Sequence, residues 1–210
     1  MTNIIENLKW RYAVKKFDTS KEIPASDLDT ILEAGRLAAT AYGLQPFDIV
    51  VVTDAEKKAA LVPNAYGQAH VADNSALVVL AVRTDVNEAF ISEYAARIET
   101  TRGLAAGTVG GFKDAMIGDI TNRTGEARTT WAQKQAYIAL GTMMAAASEL
   151  HIDNHALEGF NPDKFDEVLG LGDRNLHATV ILALGYRDAS DESQNYAKVR
   201  RSAENMIVRI

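Results

Sequence analysis

Ala76-Leu77-Val78-Val79-Leu80-Ala81-Val82 is an unbroken apolar run of strand length, with no polar position to mark a wet side. A strand with one solvated face alternates apolar and polar residues, so a run that does not alternate has both faces covered. The reading is a central strand in a sheet packed on both sides. Two further strands are predicted, Phe47 to Val52 and His177 to Leu184, the second ended by Gly185.

The segments around them carry helical spacing. Leu28, Ile31, Leu32, Gly35, Leu37 and Ala38 predict an amphipathic helix over 27–39, with Ser26 and Asp29 as a capping-box-like start. It stops in Thr40-Ala41-Tyr42-Gly43-Leu44-Gln45-Pro46, where glycine and proline end helical geometry. Thr53-Asp54 begins a short helix over 55–61, Asn87 to about Leu104 is helical but polar, and Asn161-Pro162 opens a helix over 163–169. Trp131, Ala132, Gln135, Ala136, Ala139, Leu140, Met143, Met144, Ala147 and Leu150 give 126–150 a wide face of small and apolar residues, fit for close helix contact or a subunit interface. Residues 2–9 read as a short helix, 63–73 and 187–195 as irregular, and Met206 to Ile210 as a short edge strand.

Composition narrows the chemistry. With 210 residues, 47% of them hydrophobic, the chain fits one domain with a real core. A net charge of -6 argues against nucleic acid or an anionic membrane surface as partner. No cysteine is present, which excludes disulfides, a thiolate nucleophile and zinc-thiolate sites. Met1 to Lys9 has no apolar core behind a basic stretch, and no window reaches the length of a membrane span, so the expectation is a soluble cytoplasmic protein without a membrane partner.

Against that acidic background, Trp10-Arg11-Tyr12-Ala13-Val14-Lys15-Lys16-Phe17 sets cations among aromatic and β-branched residues. In an extended backbone Arg11, Ala13 and Lys15 share one face, successive members roughly 6–7 Å apart. A guanidinium and an ammonium so placed suit an anion, one as a bidentate fork and the other as a point charge. Lys198, Arg200 and Arg201 form a second basic cluster. Gly103, Gly107, Gly110 and Gly111 lack the spacing of a dinucleotide fingerprint and read as a loop between helices, whose continuation Phe112, Met116 and Ile117 is placed to cover a pocket. His151 and His155 have i, i+4 spacing but no zincin glutamate, so they read as turn histidines, and no metal site is expected.

Four of these stretches, Arg11 to Phe17, Ala39 to Phe47, Leu157-Glu158-Gly159-Phe160 and Lys198-Val199-Arg200, together resemble the FMN-dependent nitroreductase family in order and spacing, across nearly the whole chain. The resemblance implies an α+β sandwich, a mostly antiparallel sheet between helices, in an intertwined homodimer with FMN at two sites between subunits. It implies a single FMN-binding domain over 1–210, with 196–210 as an arm reaching the partner. Arg11, Lys198 and Arg200 would hold the FMN phosphate and Lys15 the pyrimidine edge. Glu158 and Gly159 would lie near the hydride-accepting nitrogen, making Lys15, Glu158 and Gly159 the catalytic set. Tyr12, Ala13, Gln45, Pro46, Gly67, Gln68, His70 and Leu157 would complete the cofactor site, and Tyr42, Gly43, Phe112, Met116 and Ile117 the substrate pocket.

The implied activity is hydride transfer from NADH or NADPH through FMN to nitroaromatic, quinone or similar flat acceptors by a ping-pong mechanism. The alternatives are a flavin, pteridine or enoyl-type reductase of the same fold, or a flavin-binding or anion-binding module without turnover. This chain departs from the family pattern at Ala13 (usually serine), Gly67 (asparagine), His70 (often lysine) and Ala156 (proline). Those changes bear on potential and substrate range.

Overall fold

A computed structural model of the chain describes residues 4–210. Phe47–Val52 (β1), Ala76–Arg83 (β2), Asp153–Leu157 (β3) and Leu176–Gly185 (β4) form one sheet in the order β1-β2-β4-β3, antiparallel at every neighbouring pair. The helices described are Ile4–Trp10 (α1), Ala25–Arg36 (α2), Ala55–Leu61 (α3), Glu88–Arg102 (α4), Gly110–Thr121 (α5), Gly125–Glu149 (α6), Pro162–Leu169 (α7) and Ala203–Met206 (α8). None is long and apolar enough to cross a membrane.

The apolar run at 76–82 is central, and its two faces go to two cores, an upper one toward α6 and a lower one opposite. Val78, Leu80 and Val82 join Val180, Leu182 and Leu184 under Trp131, Ala136, Ala139, Leu140 and Met143 of α6 and Ile31 of α2. Leu77, Val79 and Ala81 join Ile181 and Ala183 against Leu61, Phe165, Val14 and Phe17 on the other side. Residues 77–81 are fully buried, and each large apolar side chain so buried stabilises the fold by about 1.5–3 kcal/mol. The small residues of α6 serve the close helix contact they predict. A Cβ on Gly35 of α2 would lie 2.7 Å from the Met143 sulfur.

Several expectations are corrected. The 27–39 helix begins at Ala25, where the Pro24 carbonyl accepts the Asp27 and Leu28 amides; Ser26 lies inside the helix and is not its cap. Residues 2 and 3 of the expected 2–9 helix lie outside the described residues, and the helix runs from Ile4 to Trp10. Met206 to Ile210 form no edge strand: Met206 ends α8, and the arm leaves Val208 82% exposed. Among the described residues they pair with no strand of the sheet. A fourth strand, β3, appears where only a turn with histidines was expected. Its polar residues Asp153, Asn154 and His155 hide the strand signal, yet all three are buried.

Candidate active site

The basic segment after α1 lies along the β3 edge, touching it through a parallel bridge between Ala13 and Asn154, and it reaches Arg187 through Phe17. It is an extended segment and not a regular strand. Two side chains from the end of the chain fix it. Buried Asp191 accepts the Lys15 amide at 2.9 Å, the Lys16 amide at 3.3 Å and the Tyr12 hydroxyl at 3.0 Å. Arg187 forks onto Asp153 at 2.6–3.0 Å and stacks over Trp10 and Tyr12 at 4.4 and 4.6 Å. Val14 and Phe17 anchor the segment in the lower core.

On this frame the two basic clusters meet. The charges of Arg200 and Lys198 both reach Arg11: burial and Arg200 weaken the Arg11 guanidinium's hold on its proton, and burial, Arg11 and Arg200 do the same to Lys198. The Lys198 ammonium caps the end of α1, donating to the Leu8 carbonyl at 2.6 Å and to the Arg11 carbonyl. Arg11 Nε is buried without a hydrogen-bond partner among the described residues. Asp153, whose charge also reaches Arg11, is committed to Arg187. Mutually repelling cations with a donor left over are the complement of a phosphate.

Beside them sits a group that sequence reasoning missed. His155 donates from Nδ1 to the Val14 carbonyl at 2.8 Å, since a carbonyl can only accept, and its unprotonated Nε2 faces the Lys15 ammonium at 3.4 Å. Its ring stacks on His70, centroids 4.4 Å apart and planes 18° from parallel. Burial above all, then Lys15 and His70, push His155 down to about 4; burial and Lys15 lower His70. Both imidazoles are neutral at pH 7, leaving Lys15 the cation of the cluster. His70 Nε2 is a second buried atom without a partner among the described residues.

The Leu157–Phe160 turn follows β3 directly. Gln68 donates from Nε2 to the Gly159 carbonyl at 2.7 Å, and a Cβ on Gly159 would lie 3.4 Å from that nitrogen. Tyr137 of α6 donates to Glu158 at 2.5 Å; burial and this bond push its phenol up to about 12. Leu157 packs in the lower core, and Gly67 is an exposed turn residue at φ 74°. Asp191, His155 and Tyr137 carried no sequence signal for a site, because the partners they hold there lie 21 to 179 residues away.

Tyr42, Gly43, Gln45 and Pro46 form a separate structure. Tyr42 and Gln45 have positive φ (61° and 49°), and the Tyr94 hydroxyl donates to the Tyr42 carbonyl at 2.7 Å. Tyr42 meets Phe112 edge-to-face at 6.0 Å and donates to Asp119 at 3.0 Å. Gln45 donates to the Arg36 carbonyl at 2.6 Å and lines an open groove of about 840 Å³ beside β1, with Arg36, Asp48, Arg83 and Glu93. Pro46 accepts the Arg83 amide. Met116 does not cover a pocket: it is fully buried with Ile91 and Ile120 in the upper core, and Ile117 packs partly against it. Of the three residues expected over the pocket, Phe112 is the exposed one.

Comparison with known proteins follows the same lines. Residues 8–186 match the model of the nitroreductase family. A Staphylococcus haemolyticus protein provisionally named an NAD(P)H nitroreductase is 35% identical over 216 residues, covering 97% of this chain and 95% of its own. Among solved structures, a provisionally described nitroreductase of Bacillus subtilis superposes with a TM-score of 0.87 at 18% identity over 98% of both chains. Another, from Exiguobacterium sibiricum and in complex with FMN, gives 0.83 at 21% identity over 100% of this chain and 98% of its own. With the sheet, the flanking helices and the family match in agreement, the chain belongs to the nitroreductase family of oxidoreductases.

Proposed function

We propose that the protein is an FMN-dependent NAD(P)H oxidoreductase acting on nitroaromatic, quinone or similar flat acceptors. The observation that carries the reading is the convergence of Arg11, Lys198 and Arg200 from opposite ends of the chain, with Arg11 Nε unpartnered. A phosphate fits there, and the buried, unpartnered His70 Nε2 near Lys15 fits the polar edge of a ring system.

When bound, FMN supplies the two-electron chemistry, taking hydride from the nicotinamide and passing it to the acceptor in a ping-pong cycle. The chain holds and polarises. Arg11, Lys198 and Arg200 bind the phosphate. Lys15 places a fixed positive charge where reduction brings negative charge, electrostatic stabilisation that is preorganised because Asp191 pins its backbone. Gln68 holds the Gly159 carbonyl and Tyr137 holds the Glu158 carboxylate, so the Glu158-Gly159 turn is fixed and its backbone amide would be available to hydrogen-bond the ring of a bound FMN.

The working unit in this reading is a two-fold homodimer of one-domain subunits. The arm from 196 exposes Val199, Ile207, Val208 and Ile210, and α1 and α6 expose Ile4, Leu8 and Ile138, which a second copy would cover. Tyr42, Gly43, Gln45, Pro46 and Phe112, apart from the cations in their own chain, then complete the partner's site. The test is direct: the purified protein should be yellow, hold about one FMN per subunit and bleach anaerobically with NADH or NADPH. A colourless protein that takes up no added FMN would end this reading.

A further inference from the structure

His155 is a buried imidazole that the mechanism above leaves unused, and it touches the one cation assigned to the flavin's pyrimidine edge. We propose that His155 is a positioning residue for Lys15, and that it takes up a proton from solvent when negative charge arrives beside Lys15. The proposal rests on the FMN reading.

The geometry allows one arrangement of hydrogens. Nδ1–H is committed to the Val14 carbonyl at 2.8 Å, so Nε2 offers a lone pair, and the Lys15 ammonium lies 3.4 Å from it. The same backbone is fixed on its other side by Asp191, through the Lys15 and Lys16 amides. The lysine is thus aimed by a strand side chain and not left to its own rotamers. One flat face of His155 is covered by His70, which leaves the ring edge that carries Nε2 toward Lys15.

The groups facing the pair account for its response to charge. From the basic segment, Lys15 and Arg11 oppose protonation of His155, as does His70 from the 69–71 turn. Asp73 and Asp191 favour protonation of His70. The balance leaves both rings neutral while the site lacks a negative charge. Hydride transfer from nicotinamide breaks its C4–H bond, carries the pair to the flavin and leaves the nicotinamide cationic; that cation departs, and the site is left with one negative charge more than before. A proton arriving at His155 Nε2 answers that charge. It also turns Nε2 from acceptor to donor, a second positive donor beside the Lys15 ammonium.

The test uses the FMN-loaded protein. Histidine ring resonances are followed against pH in the oxidised and the anaerobically reduced states. His155 should titrate at least about one pH unit higher after reduction, and between its oxidised-state and reduced-state midpoints the flavin potential should fall with the slope of two protons per two electrons. His155→Phe should bind FMN and show the one-proton slope, while His155→Gln, which restores an acceptor for Lys15 but cannot charge, should recover the midpoint at high pH and still show the one-proton slope. An unmoved His155 midpoint in the native protein overturns the proposal even if the variants fail to fold. Failure to bind FMN at all is distinguishable, because it removes the functional reading as well.

Discussion

The Asp191 carboxylate takes the Lys15 backbone N–H at 2.9 Å, joining positions 176 residues apart. That bond makes a residue of a polar loop part of the floor of the site. Because the same carboxylate also receives the Lys16 amide, the Tyr12 hydroxyl and the Ser193 amide, Asp191→Ala strands several donors at once. The expected cost is roughly 2–4 kcal/mol of stability, together with weaker FMN retention. Asp191→Asn, which keeps an acceptor oxygen, should lose less of both. Urea midpoints and flavin-to-protein ratios read the two effects, and native values for Asp191→Ala would show that the segment holds itself.

Lys15→Ala should keep most of its FMN, since Arg11, Lys198 and Arg200 remain, but the flavin potential should fall and hydride acceptance should slow. Roughly 1–3 kcal/mol of charge-assisted interaction is lost. Dye-equilibrated potentiometry of the bound flavin is the measurement. A potential equal to the native one would make Lys15 a surface charge.

Truncation after Gln194 removes Lys198, Arg200 and the exposed apolar residues of the arm together. FMN affinity and the dimer should weaken in parallel, with dissociation partial because the exposed faces of α1 and α6 remain. Fluorescence titration with FMN and sedimentation velocity test the pair. If neither changes, the arm is a tail and its cations leave the site.

Acid should destabilise the protein over a defined window. His155 is pushed down to about 4 in the fold from an ordinary 6.5, so below pH 6.5 the unfolded chain binds a proton that the native chain refuses. Stability is full above that value, declines as pH falls toward 4, and by then has lost roughly 3 kcal/mol from this group. His70, lowered too, acts in the same direction. In His155→Phe the decline over this window should shrink, as denaturation midpoints at a series of pH values would reveal.

The centre of the fold was legible because Ala76 to Val82 has no alternation and needs none: its odd and even residues enter different cores. β3 was not, because Asp153, Asn154 and His155 are polar yet buried: Asp153 holds Arg187, His155 holds the Val14 carbonyl beside Lys15, and Asn154 pairs with Ala13 through its backbone. Pattern marked the two basic clusters separately, but not that they meet, since Arg11 and Lys198 lie 187 residues apart. Met116 misled for a related reason. On α5 it shares a helix with exposed Phe112, and only the packing shows that it faces inward beside Ile120.

The bonds that build the site join the beginning of the chain to its end: Lys15 with Asp191, Tyr12 with Asp191, and Lys198 with the Arg11 carbonyl across 187 residues. Closing loops of that length is slow compared with forming helices or hairpins. During synthesis, α6 and the β1–β2 pair can settle early, but the cation cradle cannot close until residues near 200 have emerged. In the FMN reading the flavin would therefore be the last component to enter, held only once the residues near 200 have folded back onto the first segment.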